Sequence, residues 1–315
     1  MPMPNFLIIG AGKSGTTSLY EYLKAHPQIF MSALKEPKLF AYEGENPGGD
    51  FFLDKLTISS LESYQRLFEN SRNSKAVGEA STVYIYSAQA ASRIRHHIPR
   101  AKLIAILRDP AERAFAHYLY FVQTGHETLP TFPQALRAES ERMLRNVYSG
   151  WFYRDRGYYY TQLKRYFDVF PREQLQINLY QDFCADRAGV LRDVLRFLEV
   201  DETLLPDISE EYNVTAVPRS RFMNAALNRQ TRLKPIVRAC LPSKSRKRLL
   251  NWLNRMNSKR PRLAPEIRAE LIEGYREDIL KLQDLIGRDL SAWLRLEGED
   301  SKPAQASAGK ESERP

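Results

Sequence analysis

Cysteine is nearly absent from this chain. Cys184 and Cys240 are its two thiols in 315 residues, and neither stands in a metal-ligand spacing. That excludes a disulfide framework, and a reducing, cytoplasmic setting is expected. Long apolar runs are missing as well, so no membrane span is expected. The first residues lack the basic, apolar and small-residue order of a cleavable leader, and the first strand pattern begins at Asn5. Acidic residues are absent from Tyr212 to Pro265, where fourteen Lys and Arg fall. With a whole-chain charge of +9, those fourteen cations leave the remainder at −5. A segment this one-sided is either a solvated basic face or a surface for anions, such as nucleotide phosphates or an acidic glycan or lipid. It carries no nucleic-acid motif, so no nucleic-acid partner is expected.

What is present in strength lies near the start, in Asn5-Phe6-Leu7-Ile8-Ile9-Gly10-Ala11-Gly12-Lys13-Ser14-Gly15-Thr16-Thr17. An apolar run ends in a glycine-rich turn, and a helical pattern follows. Such a strand, loop and helix aim backbone N–H groups at an anion on the helix N-terminus. Lys13 adds a point charge, and Thr16 and Thr17 add hydroxyl donors. A Walker A loop needs its first glycine where Leu7 stands, inside the strand. A dinucleotide fingerprint is met by Gly10, Gly12 and Gly15, but the following strand pattern, Gln28 to Met31, supplies no acidic ribose partner. The pattern that remains is Lys-x-Gly-Thr-Thr, Lys13 to Thr17.

Further along, apolar runs alternate with helical patterns. This predicts an α/β fold, a P-loop-like parallel sheet with helices on both faces. Strands are predicted at Phe6–Ile9, Gln28–Met31, Ala76–Gly78, Lys102–Leu107 and Leu175–Leu179. Predicted helices are Thr16–Ala25, Ser60–Glu69, Ser87–His97, a run from Asp109-Pro110 to Phe121, Pro133–Arg145, Tyr158–Val169, Ala188–Leu198 and Pro265–Ile286. Serine N-caps are expected at Ser60 and Ser87, and Gly287 is the expected stop of the last helix. Tyr42–Leu56 reads as loop. Residues 1–296 form one expected domain, and 297–315 are polar and read as a disordered tail.

A second phosphate-type loop ends the most apolar strand: Leu107-Arg108-Asp109-Pro110-Ala111-Glu112-Arg113-Ala114-Phe115-Ala116-His117. Ligands of open α/β sheets bind beyond the carboxyl ends of strands, and a guanidinium there binds a phosphate bidentately. Together with Lys35-Glu36-Pro37-Lys38, Gly78-Glu79-Ala80-Ser81, Gly157-Tyr158-Tyr159-Tyr160-Thr161 and Phe170-Pro171-Arg172-Glu173-Gln174, these motifs resemble the sulfotransferase family. The resemblance is to the heparan-sulfate-type and bacterial branch, and it implies 3′-phosphoadenosine 5′-phosphosulfate (PAPS) as the donor. The resemblance runs from about Asn5 to Phe183.

That resemblance implies that Lys13, Ser14, Gly15, Thr16 and Thr17 hold the 5′-phosphosulfate and Arg108 the 3′-phosphate. It implies Glu36 as general base, with Lys35 or Lys38 orienting it, a cofactor-side tyrosine at Tyr159, and a closing basic loop at Lys259-Arg260. Ala116 stands where the family usually places a phosphate-binding serine, and Ala80 where a lysine often follows the glutamate. Glu79, at the end of another short strand, is the second base candidate, and His117 the third. The aromatics from Trp151 to Tyr160 either wall an acceptor pocket or pack a core. Sulfuryl transfer needs no metal, because the transferred group carries little charge. The expected partner is an acceptor hydroxyl or amine, on an acidic glycan, a lipid or a small molecule. Two other classes stay open. A P-loop kinase or NTPase with a degenerate loop would use Asp109 for magnesium, and a non-catalytic relative would bind polyanions through its basic C-terminal third.

Overall fold

The computed structural model describes residues 2–45, 57–145, 149–208, 217–218, 258–259 and 261–296. The expected tail, Cys240, Arg260 and most of the basic stretch lie outside them. Among the described residues no helix is long and apolar enough to cross a membrane.

Five parallel strands make the sheet: β1 Phe6–Gly10, β2 Ile29–Met31, β3 Ala76–Ala80, β4 Lys102–Leu107 and β5 Leu175–Leu179, in the order β2-β3-β1-β4-β5. The central strands β1 and β4 are almost wholly apolar because helices cover both faces, whereas the edge strand β5 carries Gln176 and Asn178. Side-chain alternation divides the core in two. Leu7, Ile9, Val77, Leu103, Ala105 and Leu107 face one layer, and Phe6, Ile8, Ala76, Ala80, Ile104 and Ile106 face the other.

The first layer is closed by α3 Leu61–Arg66, α4 Ala90–His97, α5 Pro110–Thr124, α6 Phe132–Leu144, α7 Tyr159–Phe167 and α10 Pro265–Ile286. The second is closed by α1 Thr16–Lys24, α8 Tyr180–Ala185 and α9 Arg187–Phe197. Gly287 ends α10 in the left-handed region at φ 64°, as expected of a helix-stopping glycine.

Two local expectations change, and one small element is added. Leu39–Tyr42 forms a short helix, α2, where the sequence reads partly as loop. Ser60 caps α3 by accepting from the Ser63 amide, but Ser87 caps nothing, since α4 starts three residues later with Gln89 at its N-cap position. Val217–Pro218 and Ser258–Lys259 pair as a small antiparallel ladder, β6 and β7, and β6 lies against α5.

Gly78 is the tightest point of the sheet. It sits opposite Phe6 in the β1–β3 register, and a Cβ there would lie 2.3 Å from the Phe6 ring. Gly78→Ala is expected to cost about 3 kcal/mol, since neither strand can move away. A urea midpoint within error of the parent's would refute this.

Candidate active site

The carboxyl ends of the strands carry the chemistry. Beyond β1 the chain turns through Gly10 to Gly15. Lys13 (φ 70°) and Gly15 (φ 90°) are both left-handed, which curls successive amides into a concave nest. Gly15 is also the N-cap of α1, and no side chain caps that helix. Among the described residues nothing accepts from the amides of Lys13, Ser14 or Gly15. Ser14 Oγ is buried and has no hydrogen-bond partner there. Unspent donors at a helix N-terminus suit a phosphate or sulfate group.

Arg108 leaves the end of β4 beside this nest. Its Nη1 donates to the Lys13 carbonyl at 3.4 Å, across 95 residues of sequence. The adjacency follows from the sheet order, with β1 and β4 as neighbours and the Ala11 amide donating to the Ile106 carbonyl at 2.9 Å. Arg108 also stacks on Tyr180, 5.1 Å from its ring centroid, and Tyr180 packs beside Gly15. Tyr180 thus packs against both the Gly15 turn and Arg108. Its only signal in the sequence is its place, one residue past the end of β5.

Lys13 is held away from water with its ammonium 4.2 Å from the Tyr120 ring centroid. Burial, then Arg108 and then Lys35 push its pKa down to about 8. Three cations therefore converge where the backbone amides also point, which makes this rim strongly anion-seeking.

Glu36 faces the same rim. The residue is left-handed at φ 63°, and its amide donates to the Ala80 carbonyl at 2.9 Å. Its carboxylate accepts from the Thr82 amide and the Thr82 hydroxyl, each at 3.0 Å, and pairs with Lys35 at 3.5 Å. Thr82 itself borders Gly12, so Glu36 stands next to the phosphate-type loop. The ammonium paired with it belongs to Lys35; Lys38 contributes a backbone amide to Ser81 Oγ at 3.0 Å.

Glu79, the second base candidate by its place at a strand end, does not face this rim. It shares strand parity with Val77, so its side chain enters the first core layer, where it is completely buried. Tyr64 (3.1 Å) and Ser81 (2.9 Å) hydroxyls donate to it. Burial pushes its pKa up to about 8 despite these donors. A carboxyl protonated in the fold but ionised in the unfolded chain loses stability as pH rises from about 4.5 to about 8. Glu79→Gln is expected to flatten the fall in Tm over that range. An unchanged slope in scanning calorimetry would contradict it.

His117 is also removed from the base candidates. Its Nδ1 lies 3.3 Å from Arg113 Nη1, and a guanidinium can only donate, so Nδ1 accepts and the ring is the neutral Nε2–H tautomer. Burial and the neighbouring cations, Arg113 first, hold its pKa well below the usual histidine value.

Tyr159 is fully buried and lines no open pocket. Its hydroxyl lies by the Arg108 amide without a full hydrogen bond, and burial raises its pKa to about 12. It supports the end of β4 from beneath. Nearby aromatics pack likewise: Tyr153 donates to Glu127 at 2.7 Å, and Tyr158 meets Tyr275 edge-on at 5.0 Å. Ala116 is buried on α5. Lys259 belongs to the β6–β7 ladder, whose β6 strand lies against α5. Thr16 is buried in the first turn of α1, followed by Thr17.

A parallel sheet of this order, with a glycine-rich turn between its first strand and α1, defines a P-loop-like α/β fold. The sequence profile of the sulfotransferase family matches residues 4–203, and the chain belongs to that family. Human bifunctional heparan sulfate N-deacetylase/N-sulfotransferase 3 is 29% identical over 94% of this chain and 31% of its own length. The mouse bifunctional heparan sulfate N-deacetylase/N-sulfotransferase 4 is 30% identical, with the same coverage of 94% and 31%. A sulfotransferase crystal structure from Alicyclobacillus acidocaldarius is 33% identical and superposes with a TM-score of 0.73, covering 94% of this chain and 100% of that one. The chain spans about a third of the length of the curated relatives it matches.

Proposed function

We propose that this chain transfers the sulfuryl group of PAPS to a hydroxyl or amine of a carbohydrate-type acceptor. The contact between Arg108 and the Lys13 carbonyl carries this reading. It sets two anion cradles on one rim, as a nucleotide phosphorylated at both 5′ and 3′ ends requires. Relatives that act on heparan sulfate support an acidic glycan as the acceptor class.

Bound PAPS supplies an activated sulfuryl group on a good leaving phosphate. The amides of Lys13, Ser14 and Gly15 would hold the 5′ end, and Arg108 the 3′-phosphate. As the acceptor–sulfur bond forms and the sulfur–phosphate oxygen bond breaks, negative charge grows on the leaving oxygen. The Lys13 ammonium is placed to stabilise it. Glu36, fixed through Thr82 and Lys35, would take the acceptor's proton.

The kinase reading fares worse. Asp109 Oδ1 caps α5, accepting from the amides of Ala111 (2.9 Å) and Glu112 (3.1 Å), and Oδ2 pairs with Arg268 at 2.7 Å. That carboxylate is already committed on both oxygens. Calorimetric titration tests the choice. Adenosine 3′,5′-bisphosphate (PAP) should bind without magnesium and more tightly than ATP with magnesium. The reverse order sinks the proposal, and labelled-sulfate transfer from PAPS to a glycan panel then identifies the acceptor.

A further inference from the structure

Arg108 is not alone at its cradle. Glu112, one turn along α5, approaches its Nη2 at 3.4 Å. Arg268, in the first turns of α10, reaches over α5 with one guanidinium. Its Nη2 pairs with Asp109 at 2.7 Å and its Nη1 stands 3.7 Å from Glu112. The two carboxylates that flank Arg108 are thus tied to a cation from the far end of the chain. Arg268 is well buried, with its side chain 10% exposed, whereas Glu112 and Arg108 are partly open at 34% and 24%.

We propose that Arg268 is a positioning residue for cofactor binding: it neutralises Asp109 and shares Glu112 with Arg108, so that Glu112 can give up Arg108 to an incoming 3′-phosphate. The idea rests on the reading of Arg108 given above. Its physics is a competition. Glu112 and a 3′-phosphate are both anions seeking the same guanidinium. A phosphate entering beside two uncompensated carboxylates would meet repulsion in a partly desolvated site, where charges interact more strongly than in bulk water. Arg268 neutralises that pair and offers Glu112 another partner. When the phosphate arrives, Glu112 can turn to Arg268 without losing all its ion pairing. The same contact makes α10 part of the cofactor site although no residue of α10 need touch the nucleotide.

The test uses the full chain, with calorimetric titration of PAP and of adenosine 5′-monophosphate (AMP), which lacks the 3′-phosphate. Arg268→Met should weaken PAP binding about tenfold and leave AMP affinity unmoved. Glu112→Gln alone should tighten PAP binding by about threefold, since it frees Arg108. The double variant Glu112→Gln/Arg268→Met should recover most of the lost PAP affinity. A purely structural role for Arg268 would weaken both nucleotides and would not be rescued by Glu112→Gln. If Arg268→Met does not fold, Glu112→Gln decides: PAP affinity equal to or below the parent's overturns the proposal. Should the parent bind PAP no better than AMP, the assignment of Arg108 falls and the coupling falls with it. If the parent prefers PAP and Arg268→Met keeps that preference, the coupling alone is overturned.

Discussion

Lys13→Met is expected to abolish sulfuryl transfer and, at the same time, to raise the melting temperature of the ligand-free protein. The two effects have one cause. The Lys13 ammonium is buried beside Arg108 and Lys35, and its pKa falls to about 8 from the ordinary value of 10.5. The unfolded chain has no such penalty, so below about pH 8 folding must confine a charge among like charges. Between pH 8 and 10.5 the unfolded state binds the proton that the native state has lost, and the parent regains stability as pH rises. Methionine removes the charge and keeps much of the stem. A gain of about 2 kcal/mol at pH 7 is expected, after allowing for the lost contact with the Tyr120 ring. The gap to the parent should narrow toward pH 10. Activity moves the other way, because the growing charge on the leaving oxygen loses its cation; a fall of about a thousandfold in kcat is expected. Calorimetry at two pH values and labelled-sulfate transfer check both halves. A variant that is less stable at pH 7 and closer to the parent at low pH would refute the electrostatic account. In the parent, PAP binding at pH 8 should be accompanied by proton uptake, seen as a dependence of the heat on buffer ionisation enthalpy. Lys13→Met should lose that dependence.

Glu36→Gln is the second large effect. The amide is nearly isosteric. Its oxygen can still accept from the Thr82 amide, and its NH2 can donate to the Thr82 hydroxyl, so the loop at residues 35–38 should keep its shape. What is lost is a carboxylate that can take a proton. Transfer to a hydroxyl acceptor should fall by about a hundredfold to ten-thousandfold, while PAP affinity stays within about threefold of the parent. That split separates a base from a binding residue. Equal losses in both would reassign Glu36 to holding the loop beside Gly12. Glu79→Gln serves as the contrast: its carboxyl is enclosed by Tyr64, Ser81 and Tyr84, and transfer at pH 7 should change little if the fold is kept.

Much of this was legible in the chain. The strands Lys102–Leu107 and Leu175–Leu179 and the helix Pro265–Ile286 have the predicted bounds, because an apolar run, an apolar–polar alternation, a proline at a first helical position and a closing glycine are local signals. The two loops that meet at Lys13 and Arg108 were legible for the same reason, each being a short pattern next to a strand end. Other features were not. Ser87 has the chemistry of a cap, yet the helix starts beyond it. Tyr180 looks ordinary until β5 places it between Gly15 and Arg108.

The order of residues alone determined a parallel α/β sheet and the turns that carry Lys13 and Arg108, since periodicity, glycine placement and charge act over a few neighbours. Tertiary structure alone decided which carboxylate faces the rim and which is buried. Glu36 and Glu79 both follow short strands in sequence, but one lies on a loop held open by Thr82 and the other has the strand parity that the helices cover. It also decided that Arg268, 160 residues beyond Arg108 in numbering, stands against the same pair of carboxylates. Such pairings depend on how distant layers pack, and no local pattern encodes them.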